Sequence, residues 1–318
     1  MKLIIPHKVA DLVDPLVYEV APEAQIVHVS DDGTPDGDIR DAQALLRWWT
    51  PPEVLQRSLR EAPQLRWVHT PSAGVDHLFV PELIERRIML TNSAGATAIP
   101  IAEFVLLFML NHAKRGVLLN KPTDADWYRA DDASLGELFE KTLLIIGFGH
   151  IGAAIARRAA GFGMRVLAAR RRPLPVDWVD VVVGEHGWRD LLPEADYVVI
   201  AAPLTPATRG MFDAAAFAQM RPNAYLINIA RGQIVDTDAL LAALGERRIA
   251  GAGLDALPEE PLPADHPLWR MPNVTITPHI AYSSPRTRER ILGIFGENLR
   301  RFVAGEELCN LVDPVAGY

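Results

Sequence analysis

The run LLIIGFGHIGAAIARRAAGFGMRVLAAR, residues 143 to 170, constrains the fold more than any other part of the chain. An apolar strand runs into Gly147, Gly149 and Gly152, an alanine-rich helix follows, and a second apolar strand closes the unit. Gly147 permits the tight turn, Gly149 lets the backbone approach a pyrophosphate, and Gly152 lets the helix pack close to the strand. The helix N-terminus adds unpaired N–H groups and the positive end of its dipole. Glycines at this spacing also make ordinary turns, so the pattern takes its meaning from the strand, helix and strand around it. In that setting it predicts a dinucleotide-binding βαβ unit whose phosphate turn is Gly147, Phe148, Gly149, His150, Ile151 and Gly152.

An NAD site usually offers a carboxylate about 20 residues further on, to accept hydrogen bonds from the ribose hydroxyls. Here Arg170 stands 21 residues after Gly149, and Arg171 and Arg172 follow it. A carboxylate there would repel a 2′-phosphate, whereas a guanidinium binds one through two parallel charge-assisted hydrogen bonds. The arginines therefore predict NADP as the preferred cofactor, with NAD possible; the alternative is a solvated basic turn. They are a local feature, because the net charge of −8 argues against a general attraction to nucleic acid or to an anionic membrane. Cys309 is the only cysteine, which rules out an internal disulfide and a cysteine-based zinc site; no metal is expected. A reducing cytoplasm fits this usage. The start, MKLIIPHKVADLVDP, is interrupted by Pro6, His7 and Lys8 well short of a secretory core. The most apolar segment, residues 99 to 113, is too short to span a bilayer and includes Glu103.

Strand-like and helix-like runs alternate from KLIIP through QIVHVS, TPPEVLQRSLREA, LRWVHT, PELIERR and IMLTN, which is the rhythm of a small parallel α/β unit. A long helix near Pro100 leads away to TLLIIG, and six more apolar strands follow: MRVLAAR, WVDVVVG, ADYVVIAAP, AYLINIAR, IAGAGLDA and NVTITP. Strands apolar along most of their length belong in a sheet covered on both faces, so the expected class is α/β with a doubly wound parallel sheet. Residues 283 to 288 look like a helix start, with Ser284 as cap and Pro285 in the first helical position, and this last helix is expected to return to the first domain. The expected domains are 1–98 with 286–318, and 99–285.

Three later segments end strands on the edge where ligands of such sheets bind: NIARGQIVD with Arg231, GLDALPEEPLP with Glu260, and TPHIAYSSP with His279. Singly, each residue is ordinary, a surface charge, a solvated acid or a capping histidine. Together they are the parts needed to bind an anionic substrate, tune a proton donor and deliver the proton beside a nicotinamide.

With these segments in hand, the sequence resembles the D-isomer-specific 2-hydroxyacid dehydrogenases. SAGVDHL at 72 to 78, AEFVL at 102 to 106, GFGHIG, APLTPATRG at 202 to 210, NIARGQIVD, EEPLP at 259 to 263 and TPHIA at 277 to 281 carry the likeness across nearly the whole chain. The intervals of 29 residues from Arg231 to Glu260 and 19 from Glu260 to His279 are also similar to the family's. The resemblance implies a Rossmann cofactor domain, a smaller flavodoxin-like substrate domain, and hydride transfer between a nicotinamide and C2 of a 2-oxo acid. Arg231 would clamp the carboxylate and carbonyl oxygen, His279 would be the general acid, and Glu260 would hold the other imidazole nitrogen. Ser72, Ala73 and Gly74 would hold the substrate carboxylate, the last two through backbone N–H groups. Ala202, Pro203, Thr208, Ile229, Ala230, Arg231, Asp255, His279 and Ala281 would border the cofactor. A homodimer built on the helix containing Glu103 to Leu110 is implied as well.

Departures narrow the reading. Trp48, Trp49 and Tyr282 bring bulk to positions that resemble substrate-contacting ones, as pocket walls or as ordinary core aromatics. Residues 124 to 138 are similar to a variable region of the family and carry nothing over. Glu260 argues against a formate dehydrogenase, where the family's partner for the histidine is Gln. Glyoxylate or hydroxypyruvate reduction with NADPH is the specific expectation. The alternatives are an NAD-dependent D-2-hydroxyacid or phosphoglycerate dehydrogenase, and a regulatory binding protein that senses NAD(P)H.

Overall fold

The computed structural model describes residues 1–76, 78–116 and 135–314. Most of the variable stretch at 124 to 138, and His77 of the SAGVDHL motif, lie outside them. The chain divides into two compact units, residues 1–96 with 284–318, and residues 97–283.

The first unit is built on the parallel strands β1 (Lys2–Pro6), β2 (Gln25–Val29), β3 (Ala44–Leu46), β4 (Trp67–His69) and β5 (Met89–Thr91), in the order β2-β1-β3-β4-β5. That order is one of the two common doubly wound arrangements. Helices α1 (Ala10–Val20), α2 (Pro52–Glu61) and α3 (Pro81–Glu85) connect the strands. Leu3 and Ile5 face one apolar cluster and Ile4 the other, because alternate side chains of a strand leave opposite faces. The apolar run of β1 is therefore a central strand with both faces covered.

The second unit opens with α4 (Ala98–Lys114) and continues through β6 (Thr142–Ile146), α5 (His150–Gly161), β7 (Arg165–Ala169), β8 (Val181–Val183), α6 (Trp188–Leu191), β9 (Tyr197–Ile200), α7 (Ala214–Gln219), β10 (Tyr225–Asn228), α8 (Thr237–Gly245), β11 (Gly251–Leu254) and β12 (Val274–Ile276). All seven strands are parallel, in the order β12-β11-β10-β9-β6-β7-β8. Counted from β6, the pattern is that of a Rossmann sheet with one strand added. One face is covered by Phe108 of α4 and Ile155 of α5, the other by Trp188, Phe217 and Leu240. Asp213 and Asp236 cap α7 and α8 by accepting from the N–H groups of Ala216 and Ala239.

The last helix, α9 (Thr287–Ala304), belongs to the first unit, where Ile291, Phe295 and Leu299 join its core and Phe295 stacks on Trp67 at 5.7 Å. It begins later than the sequence suggests. Ser284 Oγ accepts from the Arg286 N–H, an i to i+2 bond, so it closes the turn ahead of the helix, and Pro285 lies in that turn. Beyond α9 the chain is tied back: Asn298 bonds both the N–H and the carbonyl of Cys309, and Val312 N–H donates to the Leu90 carbonyl. None of the described helices is long and apolar enough to cross a membrane.

Candidate active site

Because the strands of the second sheet are parallel, the segments that follow β6, β7, β9, β10, β11 and β12 all leave from one edge. The glycine turn comes first. Gly147 has φ +94°, and a Cβ there would lie 2.4 Å from the Ala202 nitrogen, so the turn passes against the backbone after β9, where the strand order reverses. A Cβ on Gly152 would meet the Gly147 carbonyl at 2.8 Å, and α5 lies correspondingly close to the turn. Gly149 is the cap of α5 and makes no side-chain bond, so the first-turn N–H groups at His150, Ile151 and Gly152 are left for an anion. After β7, the Arg170 guanidinium lies over the Phe148 ring, 6.0 Å from its centroid, and no carboxylate among the described residues pairs with it. Arg171 and Arg172 are exposed beside it. Ala202 and Pro203 line the loop after β9, and the Thr208 hydroxyl closes it by donating to the Pro203 carbonyl at 2.7 Å. These donors and the cation fit the phosphates of a dinucleotide.

Next along the edge is Arg231. Asn228, buried at the end of β10, accepts from Ala230 N–H and donates to the Arg231 carbonyl at 2.9 Å, which fixes the Ile229 to Arg231 turn. Gly232 follows, and a Cβ there would fall 2.0 Å from the Leu257 carbonyl. Only glycine lets the Arg231 turn lie against the segment that carries Glu260. Glu260 in turn accepts from Leu257 N–H with one oxygen and meets His279 Nδ1 at 2.8 Å with the other. Both side chains are more than a third exposed, so the pair orients the ring and adds little stability. His279 Nε2 is the nitrogen left to exchange a proton.

Asp255 has a part that sequence reasoning did not assign. Expected beside the cofactor, it is buried and spends both oxygens on the chain: one accepts from Thr277 Oγ1 at 2.6 Å and Ile280 N–H at 2.9 Å, the other from Ala281 N–H at 3.0 Å. His279 sits within this grip at φ +52°, in the left-handed region that side chains avoid. The acid thus keeps the histidine turn in shape, and Ala281 is sunk in the core beneath it. An Asx pattern at Asn228, two residues before Ala230, is the signal that could have found the Arg231 brace.

In the first unit, Ser72, Ala73 and Gly74 form a half-buried turn after β4. Trp48, expected as a pocket wall or a core aromatic, is 7% exposed and packs with Leu3, Ile5 and Trp67 in the core. Its neighbour Trp49, at φ +52°, is the exposed one, and Tyr282 in the second unit is also exposed. No three His, Cys, Asp or Glu side chains among the described residues gather as a metal site.

The family model described as "D-isomer specific 2-hydroxyacid dehydrogenase, NAD binding domain" matches residues 106–281, more than half of the chain. The chain belongs to this family. Among 2-hydroxyacid dehydrogenase relatives, a protein named glyoxylate reductase from Korarchaeum cryptofilum is 37% identical over 286 residues, covering 86% of this chain and 84% of the relative. A glyoxylate reductase from Thermococcus gammatolerans is 39% identical over 259 residues, 79% of this chain and 77% of its own. A family member from Xanthobacter autotrophicus Py2, solved with NADPH and MES, is 31% identical and superposes with a TM-score of 0.81 over 100% of this chain and 99% of its own. The NADPH-dependent glyoxylate/hydroxypyruvate reductase of Sinorhizobium meliloti, solved with NADP and sulfate, gives 0.83 at 28% identity over the same shares.

Proposed function

We propose that the protein reduces a small 2-oxo acid, glyoxylate or hydroxypyruvate in the first instance, to the 2-hydroxy acid at the expense of NADPH. The observation that carries this reading is the His279–Glu260 pair at 2.8 Å, on the same sheet edge as the glycine turn and Arg231. Relatives named glyoxylate reductase support the substrate class. Arg170 supports the phosphorylated cofactor, since it has no carboxylate partner among the described residues and the 2′-phosphate would give it one.

When bound, the dihydronicotinamide supplies a hydride to C2. Arg231 holds the carboxylate and polarises the carbonyl, concentrating positive charge where the oxygen becomes an alkoxide. His279 delivers the proton to that oxygen from Nε2, while Glu260, bonded to Nδ1, stabilises the protonated ring and keeps it turned. Ala73 and Gly74 take the substrate carboxylate. The first-turn N–H groups of α5 and the arginines after β7 hold the cofactor phosphates. Two copies pair through α4, and the enzyme works in the cytoplasm; Leu107, exposed on α4, and the lone Cys309 support these two readings.

The test is a kinetic panel of glyoxylate, hydroxypyruvate, pyruvate and phenylpyruvate against NADPH and NADH, followed by loss of reduced-nicotinamide absorbance. Glyoxylate or hydroxypyruvate with NADPH should turn over fastest. Arg170→Gln should raise the KM for NADPH roughly 10- to 100-fold and leave that for NADH nearly unchanged. Tight NADPH binding without consumption by any of the acids would instead favour a redox-sensing binding protein.

A further inference from the structure

Among the described residues, the backbone carbonyls of Ser72 and Ala73 in the Ser72 to Gly74 turn are held by residues 92 and 93, and the Ser72 hydroxyl bonds that of Thr70 at 2.9 Å. Ser93 N–H donates to the Ser72 carbonyl at 3.2 Å, and Ser93 Oγ donates to the Thr70 carbonyl at the same distance. Asn92 Nδ2 donates to the Ala73 carbonyl at 2.8 Å. The Asn92 amide cannot be turned over, because its Oδ1 accepts from Ala94 N–H at 3.1 Å. In a planar trans peptide the C=O and N–H point in opposite directions. Pinning the Ser72 and Ala73 carbonyls toward residues 92 and 93 therefore aims the N–H groups of Ala73 and Gly74 the other way. Neither N–H has a hydrogen-bond partner among the described residues, and both residues are part-exposed. Two parallel, unsatisfied donors on a fixed backbone are a preformed site for a carboxylate.

Asn92 is itself fixed. It is 7% exposed, its N–H donates to the Asn310 carbonyl at 3.2 Å, and Asn310 Nδ2 donates to the carbonyls of Asn92 and Ala94 at 3.3 and 3.0 Å. Behind Ser93, the buried His69 bonds Ser93 Oγ through Nε2 and Thr91 Oγ1 through Nδ1. Of all these groups, the Asn92 side chain alone bonds the carbonyl of the peptide that carries the Gly74 N–H.

We propose that Asn92 is a positioning residue for substrate: by holding the Ala73 carbonyl it fixes the Ala73–Gly74 peptide with its N–H aimed at the substrate carboxylate. This rests on the function proposed above. Without the Asn92 amide the peptide can rotate, and one of two donors to the anion is lost from the ground state and the transition state alike. Such uniform loss of binding appears in KM and leaves kcat in place.

The experiment compares the wild type with Asn92→Ala, the milder Asn92→Ser and, as control, Asn310→Ala, which loosens the same backbone without touching the Ala73 carbonyl. For Asn92→Ala the KM for glyoxylate should rise roughly 10- to 100-fold, the worth of a hydrogen bond to a charged group. Its kcat should stay within about threefold, and its affinity for NADPH should be unchanged. Asn92→Ser should fall between Asn92→Ala and the wild type and stands in for it if the alanine variant does not fold. Asn310→Ala, which leaves the bond from Asn92 Nδ2 to the Ala73 carbonyl in place, should raise KM clearly less than Asn92→Ala does. An unchanged KM in a folded Asn92 variant, or an equal rise in Asn310→Ala, overturns the proposal. If the wild type reduces no 2-oxo acid, the function reading fails separately. Calorimetric titration with oxalate in the presence of NADPH then decides the role of Asn92: weaker binding by the Asn92 variants than by Asn310→Ala supports it, and equal binding overturns it.

Discussion

The bond from Glu260 to His279 Nδ1 leaves Nε2 as the only ring nitrogen able to give a proton, and the Asp255 grip keeps that ring on a turn it would otherwise leave. His279→Ala should lower kcat by roughly two to four orders of magnitude, the usual worth of a general acid–base group, and leave NADPH affinity unaltered in a fluorescence titration. A second histidine works in the opposite sense. His69 is wholly buried among hydroxyls, and burial pushes its pKa down from 6.5 to about 3. The unfolded chain takes up a proton below about pH 6.5 that the folded chain refuses until about pH 3, so the contribution to stability is full above that window and lost as pH falls through it, at up to about 1.4 kcal/mol per pH unit. Urea midpoints at pH 7 and pH 5 should therefore differ more for the wild type than for His69→Gln. Arg231, Glu260 and His279 stand out as candidates in the sequence because each carries chemistry in its own side chain, and the structure brings Glu260 and His279 together. Asn92, Asn228 and Asp255 act by holding other backbone, and His69 by bracing Ser93; a side chain that acts through a distant partner leaves no local pattern.

At the scale of elements, the glycine turn and most strands were legible because long apolar runs ending in Gly, Pro or Asp have few alternatives. Two elements of the first unit escaped. β3 is only Ala44–Leu46, too short to show a period, and α1 carries Pro15 in its interior, a residue that usually ends a helix. There the buried Val13 and Val17, four residues apart on one face, outweigh the missing N–H. Helix α4 shows a different imbalance. Its inner side, with Ala102, Val105, Phe108 and Met109, is fully buried, whereas Leu107 is 48% exposed near Glu103, which pairs with Arg158 of α5. An apolar residue on that outer face suits the proposed pairing of two copies. Leu107→Glu should convert a species of twice 35.1 kDa to one of 35.1 kDa in sedimentation, with the helical signal retained.

For the molecule as a whole, the first unit is discontinuous: residues 1–96 make its sheet, and residues 284–318 supply α9 and the tie to Asn92. Phe295 and Leu299 lie against Trp67 and Val17, so part of the first core has no cover until the end of the chain arrives. On the ribosome, at the usual pace of elongation, the stretch between Ala96 and Ser284 takes roughly 10 to 40 s to make. For that interval, in which the second unit is itself being made, the nascent sheet holds open a greasy face. The newborn polypeptide thus has a built-in waiting period, in which its earliest-made third keeps apolar surface open to other molecules.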